Sequence, residues 1–427
     1  MQELDISIDN ISKTEGHAGL DIKVRNGKVV DVNFKITENK RFYTKAIRGK
    51  SYVAAPQLMA RICGTCSIAH LLCCIKAVES ALGVEVTQQT MLLRELTMHG
   101  LMIRDHALHL YMFSLPDVFD RDSIMDFDNS NPRDKQLLED AFTVKSAGNN
   151  LSKLMAGRAV HPPFPTIGGF ARIPDKAKFP EMVRELETAR KSVLRLIEVY
   201  RICRLDFTRK TNFVCLANSR FDYLSGEINS SAGTCIPEKL YRQHLERVVL
   251  PYSQASAYKF EGKEYMVGAL SRVNLSEGRL HSKTKEDAKK ALETFPSSNI
   301  FHNNLAQAIE ILHSIDTSIS LLNTLNPVSE LPAKPTRLSG AGVGVIEAPR
   351  GTLYYFLDID EKGIVRKAEV VVPTGQNQIN IEKDVAAIVE KNLSNDRNFI
   401  ENELEKLIRA YDPCMSCASH FLKVKWT

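Results

Sequence analysis

The chain has 427 residues, 44% hydrophobic and 25% charged, a balance that excludes disorder as its main state. Its net charge of +5 is spread along the sequence, which excludes the clustered basic face of a nucleic-acid binder. No apolar run reaches the ~18 residues of a membrane span, and the polar, acidic start MQELDISIDNISKTEGH has no apolar signal core, so neither a transmembrane helix nor an export signal is expected.

Residues 20–37 alternate apolar and polar around Asn26-Gly27, which predicts a β-hairpin. The stretch 56–82 starts at Pro56, turns helical after Cys66 and stops at Gly83. A long helix is predicted from Gln88 to Leu115, ending at Pro116-Asp117, and two more over Lys135–Ala156 and Lys176–Phe207. Between these two, HPPFPTIGGF (161–170) is expected to be an irregular loop because of its prolines and glycines. Residues 212–280 are weakly periodic and mixed, and Lys285–Leu325 carries helical stretches. Thr352–Val372 predicts a second hairpin with its turn near Asp360–Gly363, and Ile381–Tyr411 a final helical region broken at Asp412-Pro413. The expected fold is mainly α with small β pieces, an α+β chain forming one large domain over 1–427. Within it lie a β-containing segment (1–55), a helical body (56–345) and a C-terminal hairpin, helix and metal-binding segment (346–427).

Nine cysteines are too few for a disulfide scaffold in a chain of this length, and an odd count points to a reducing compartment. Four of them form two Cys-x-x-Cys pairs, Cys63/Cys66 in RICGTCSIAH and Cys414/Cys417 in DPCMSCASH. Each pair alone can clip a metal or form a redox disulfide. Together they offer four sulfurs to one soft metal. Three readings stay open on spacing alone: a structural Zn(Cys)₄ site, redox pairs, or a catalytic soft-metal site. Zinc ribbons usually join their pairs over about 15–20 residues, whereas nearly the whole chain separates these two. The flanks favour catalysis. His70 and His420 follow the pairs at short offsets, Arg61 precedes the first pair, and Asp412-Pro413 precedes the second.

RxCGxC near one end with DPCxxCxxH at the other resembles the large, catalytic subunit of nickel–iron hydrogenases. Glu15-Gly16-His17, RDHALHLYMFSLPD (104–117), GRAVHPPFPTIGGF (157–170), EAPRGTLYY (347–355) and VVPTGQN (371–377) carry the resemblance through the rest of the chain. The nearest branch is the cytoplasmic multi-subunit one, with sulfhydrogenase-like, NAD(P)-linked and deazaflavin-linked enzymes. The resemblance implies a large helical body with the metal site held between the chain's ends. It also implies a cytoplasmic hydrogenase, splitting H₂ reversibly at a Ni–Fe centre that carries one CO and two cyanides.

In that resemblance Cys63 and Cys414 are terminal nickel ligands, while Cys66 and Cys417 bridge nickel to iron. Soft thiolates suit redox nickel, and a terminal one can take the proton that heterolytic H₂ cleavage releases. Glu15 would lie beside Cys414 and relay that proton outward. Arg350 would stand over the metals and donate to one cyanide, which its planar fork suits better than lysine would. Pro349 would shape the same loop, and Thr374 would donate to the other cyanide. Asp105 and Asp412 would flank Arg350, and His70 would tune a bridging sulfur. If helical, Asp105 and His109 share a face, and a plain polar helix face is the competing reading for His106 and His109.

His420, with the backbone carbonyl of Val370, would bind a magnesium ion. The family's glutamate for that ion follows an aromatic pair, and here Thr44 stands in its place after Phe42-Tyr43. Threonine is a poor substitute for a charged oxygen ligand of Mg²⁺. Family members are trimmed by a maturation protease after the final histidine, and here FLKVKWT (421–427) follows His420. The remaining cysteines have no ligand spacing with one another and form no iron–sulfur relay. Electrons must therefore leave through a small iron–sulfur subunit, with flavin, NAD(P) or ferredoxin-linked subunits beyond it. The rivals are a scaffold like the large subunit of respiratory complex I, which lacks the four cysteines, and a structural Zn(Cys)₄ protein.

Overall fold

The computed structural model describes residues 3–38 and 42–419. The N-terminal segment is a three-stranded antiparallel sheet of β1 (Leu4–Ile8), β2 (Ala18–Arg25) and β3 (Lys28–Ile36), and the Asn26-Gly27 turn, with both residues at positive φ, joins β2 to β3 as predicted.

The body is built on long helices: α1 (Ser67–Leu82), α2 (Gln88–Ala107), α3 (Pro132–Ala156), α4 (Phe179–Arg201) and α5 (His302–Thr324). The last four pack on one another as a bundle. Gly83, at φ +65, ends α1 in the left-handed cap that glycine adopts without steric cost. The helix predicted to stop at Pro116 does not stop there. From Leu108 to Ser114 it widens to a π-helix, then continues as α-helix over Leu115–Val118. Pro116 falls in the first turn of that last piece, where its missing N–H costs nothing. The Leu110 carbonyl accepts from Leu115 N–H, five residues on, and also from the Tyr200 hydroxyl at 2.7 Å. Helix α4 stops at Arg201, earlier than the apolar pattern to Phe207 suggests.

The β content exceeds the two small pieces that the sequence pattern predicts. HPPFPTIGGF contains a two-residue hairpin, Pro165–Thr166 on Gly169–Phe170. The weakly periodic stretch holds a sheet of order Tyr265–Met266, Asn212–Ala217, Glu227–Ser230 and Cys235–Pro237, plus the ribbon Leu245–Val249 with Ser256–Phe260. These strands are short, and several are buried on both faces, so little alternation marks them. The second predicted hairpin is a three-stranded sheet, of β4 (Gly340–Ala348), β5 (Gly351–Ile359) and β6 (Val365–Val371). Helix α6 (Pro373–Asn392) and helix α7 (Arg397–Ala410) follow.

Glycines at 340, 342 and 344 let α1 lie directly on β4. A Cβ at any of them would fall 2.2–2.4 Å from a backbone oxygen of Cys73, Ala77 or Ala81. The apolar core that results runs from Ile6 to Ala418 and includes all four motif cysteines. No helix among the described residues is long and apolar enough to cross a membrane.

Candidate metal centre

Both Cys-x-x-Cys pairs sit at helix starts. Cys63 leaves a short 3₁₀ turn (Ala60–Ile62) in extended conformation, and Cys66 caps α1. Cys414 caps a one-turn helix, Met415–Ala418, that carries Cys417. The chain's ends are laced together at this point. Glu15 and Cys414 form a parallel bridge, with Met415 N donating to Glu15 O at 2.9 Å. Gly16, at φ +84, permits the approach, since a Cβ there would sit 2.8 Å from that of Met415.

The four sulfurs converge, all buried and all within 4.8 Å of one another. Cys63 and Cys414 are 3.5 Å apart, Cys66 and Cys417 2.9 Å, and Cys414 and Cys417 3.0 Å. Burial first, and then the neighbouring sulfurs, push the Cys414 thiol well above its usual range. Four thiolates this close need a cation among them to ionise together, which is the donor set of a soft metal.

Most residues assigned by resemblance gather here. Glu15 Oε2 accepts from Cys414 Sγ at 3.0 Å and from Ser416 N at 3.1 Å. Arg350 is buried, with Nη1 on Asp105 at 2.8 Å and Nη2 on Asp412 at 3.0 Å. Burial disfavours its charge, but the two carboxylates outweigh this and hold its pKa well above the ordinary value. Asp412 takes positive φ just before Pro413, a conformation that aspartate tolerates. Pro349, Arg350, Thr374 and His70 line one small cavity with Cys66, Cys414 and Cys417. Arg350 Nε and Asp105 Oδ1 have no hydrogen-bond partner although buried. Thr374 Oγ1 accepts from Cys414 N at 2.9 Å and so keeps its own proton free to donate. A metal with small acceptor ligands in this cavity suits both free donors.

His70 lies between Cys417 Sγ, 3.4 Å from Nε2, and the Tyr355 hydroxyl, 2.8 Å from Nδ1. Burial keeps the Tyr355 phenol protonated, and the tautomer of His70 that carries its proton on Nε2 directs it at the sulfur. His106 and His109 are buried rather than on a solvated face. His106 Nε2 meets Glu310 at 2.9 Å, while His109 bonds Gln307 at 2.6 Å and the Arg409 carbonyl at 2.8 Å. Gln307 in turn donates to Asp412 at 2.9 Å.

Further side chains, not predicted from the sequence, support the site. Arg104 donates to the Thr65 carbonyl at 2.5 Å and braces the loop between Cys63 and Cys66. Arg409 forks onto Asp117 at 2.7 and 2.9 Å and reaches the Ser12 carbonyl at 3.2 Å, joining all three segments. Arg104 and Tyr355 lie inside the quoted motifs, whereas Gln307 and Arg409 carry no sequence signal.

The magnesium assignment fares differently. Thr44 and Val370 line one cleft, but so do Arg242 and Arg247. The cleft's carboxylate, Glu369, is paired with Arg242 at 3.1 Å and Lys367 at 2.8 Å. His420 and the tail lie outside the described residues.

A family model described as nickel-dependent hydrogenase matches residues 41–155 and 240–420. Sulfhydrogenase 1 subunit alpha of Pyrococcus furiosus is 32% identical, with 99% of each chain covered. The NAD-reducing hydrogenase HoxS subunit beta of Cupriavidus necator is 28% identical, over 97% of this chain and 94% of its own. Among solved structures, an NAD⁺-reducing NiFe-hydrogenase in the H₂-reduced state superimposes with a TM-score of 0.83 at 25% identity, covering 98% of this chain and 99% of that one.

Proposed function

The chain belongs to the nickel-dependent hydrogenase family, and on that premise we propose that Cys63, Cys66, Cys414 and Cys417 hold a nickel–iron centre with one CO and two cyanides. The observation that carries this reading is the convergence of four buried sulfurs from both chain ends beneath a buried arginine with a free donor. When bound, the centre supplies the redox chemistry of H₂ ⇌ 2H⁺ + 2e⁻.

The chain's own residues manage the rest. Cys63, Cys66, Cys414 and Cys417 would hold the centre, Cys63 and Cys414 as its terminal ligands and Cys66 and Cys417 as its shared ones. The Cys414 sulfur accepts the proton and passes it to Glu15, which is within hydrogen-bond reach. Arg350 and Thr374 would donate to the cyanides and His70 to the Cys417 sulfur, while Asp105 and Asp412 hold the guanidinium in place and Pro349 shapes its loop. The cavity wall of Ala348, Leu353 and Pro373 keeps water away from these groups. Among the described residues the four motif cysteines are the only metal-binding cluster, so electrons pass to a separate iron–sulfur subunit. That the relatives are alpha and beta subunits supports a multi-subunit enzyme, and the NAD-reducing relative supports an NAD(P)-linked partner; a cytoplasmic location and flavin or ferredoxin-linked partners complete the proposal. A maturation protease acting after His420 would complete it. A non-enzymatic scaffold of the complex I type is not favoured, because it lacks the four cysteines.

The test is metal analysis with infrared spectroscopy on the purified complex. Nickel and iron together with bands of metal-bound CO and CN are expected. Zinc alone, or nickel without those bands, overturns the assignment.

A further inference from the structure

Arg350 is held at its tip by Asp105 and Asp412, but its backbone has a separate anchor. Arg272 is fully buried on a short helix, Ala269–Ser276, that begins beside the Arg350 peptide. Its guanidinium forks onto Glu310 at 2.5 and 2.7 Å and reaches Glu347 at 2.7 Å. Two more of its hydrogen bonds go to backbone carbonyls: Ala348 at 3.0 Å and Pro349 at 2.9 Å. Those are the two residues just before Arg350. Gly351, at φ +131, completes the turn, and a Cβ there would strike Val267 at 2.6 Å.

Both carboxylates have further partners. His106 meets the second oxygen of Glu310 at 2.9 Å, and Glu347 accepts from Leu216 N and from Thr352 Oγ1, each at 2.7 Å. Burial alone would raise the Glu310 carboxyl, yet Arg272 outweighs it and brings the pKa down to about 2. A charged arginine whose fork spans two carboxylates and two consecutive carbonyls is a rigid template, and a lysine has the charge but not the fork.

We propose that Arg272 is a positioning residue for Arg350: by holding the carbonyls of Ala348 and Pro349 it fixes where the Arg350 guanidinium stands over the four sulfurs. The proposal rests on the Ni–Fe reading of the cysteine cluster for its effect on turnover, but not for its effect on the turn itself. Glu310 and His106 act through Arg272 and are not themselves at the reacting atoms.

The experiment compares wild type, Arg272→Lys, Arg350→Lys and the double variant as purified complexes. Amide hydrogen exchange over residues 346–352 is expected to quicken by about tenfold or more in Arg272→Lys, while α5 keeps its protection. Turnover per nickel should fall by about tenfold or more, with the CN bands shifted in the same direction as in Arg350→Lys. The double variant should be no slower than Arg350→Lys within about twofold, because both changes remove one interaction. If Arg272→Lys fails to accumulate, Glu310→Gln keeps the shape, loses the charge, and is judged by the same results. Unchanged exchange at 346–352, wild-type turnover per nickel, or losses that multiply in the double variant each overturn the proposal. Absence of nickel or of CO and CN bands in the wild type instead defeats the metal assignment, and the exchange result still decides the anchoring of the turn.

Discussion

Glu15 reaches the sulfurs because its own backbone pairs with Cys414, so the carboxylate is delivered to within 3.0 Å of that sulfur by a β-bridge rather than by a flexible loop. Ser416 N–H fixes the same oxygen. A glutamine at this place can still accept both hydrogen bonds, but it cannot gain and release a proton. Glu15→Gln should therefore leave nickel content and infrared bands intact. H₂ oxidation and H₂/D⁺ exchange should both fall, by about two orders of magnitude or more for a lost acid–base group. If oxidation falls while exchange stays normal, the defect lies in electron transfer, and Glu15 is not the relay. Arg350 and Asp105 illustrate a second point at this scale. Each keeps a buried polar atom without a partner, a costly arrangement in a metal-free protein and a reasonable one where a ligand completes the shell.

Helix α1 carries Cys66 at its cap and His70 one turn later, so its seat on β4 determines where two of the site's groups stand. That seat is made of missing side chains. In Gly342→Ala the new methyl would lie 2.2 Å from Ala77 O and Ala81 N, backbone atoms that cannot swing aside. A loss of about 1–3 kcal/mol of stability is expected, the usual cost of overpacking, along with lower metal occupancy. Gly278→Ala, which meets open space, should be near neutral by the same denaturation measurement. Equal melting behaviour of the two variants would show that α1 does not depend on the glycine stripe. The π-turn at Leu108–Ser114 has a comparable role in α2. It lies between Asp105, bound to Arg350, and Asp117, bound to Arg409, and helps set the register of both ends against the C-terminal segment.

Across the whole molecule the N-terminal sheet is tied to C-terminal α6 through Glu382, whose carboxylate accepts from Phe34 N at 3.1 Å and from the Tyr252 hydroxyl at 2.8 Å. Burial raises this carboxyl from 4.5 to about 7, against the lowering effect of those hydrogen bonds. A folded-state pKa above the unfolded one contributes stability that is full below 4.5 and is lost as pH rises through 7. Glu382→Gln keeps the acceptor and removes the titration. Its melting temperature should therefore gain on wild type between about pH 5 and pH 8. A constant difference across that range would mean that Glu382 ionises as freely folded as unfolded.

Much of this architecture was legible along the chain. Asn26-Gly27 marks a hairpin, Gly83 marks a helix end, and two Cys-x-x-Cys pairs with their flanking motifs mark the four thiols that converge, because turn geometry and thiolate chemistry are carried by local residue identity. The short strands of residues 212–266 were not legible, since strands buried on both faces lose the alternation that announces them. Nor were the supports of the site. Arg272, Gln307 and Arg409 become meaningful only when distant segments pack and each buried polar group has to find its partner. Residue identity along the chain specifies the four thiols that can bind a soft metal. The tertiary structure alone decided which side chains hold those atoms still, because that depends on contacts between residues hundreds of positions apart.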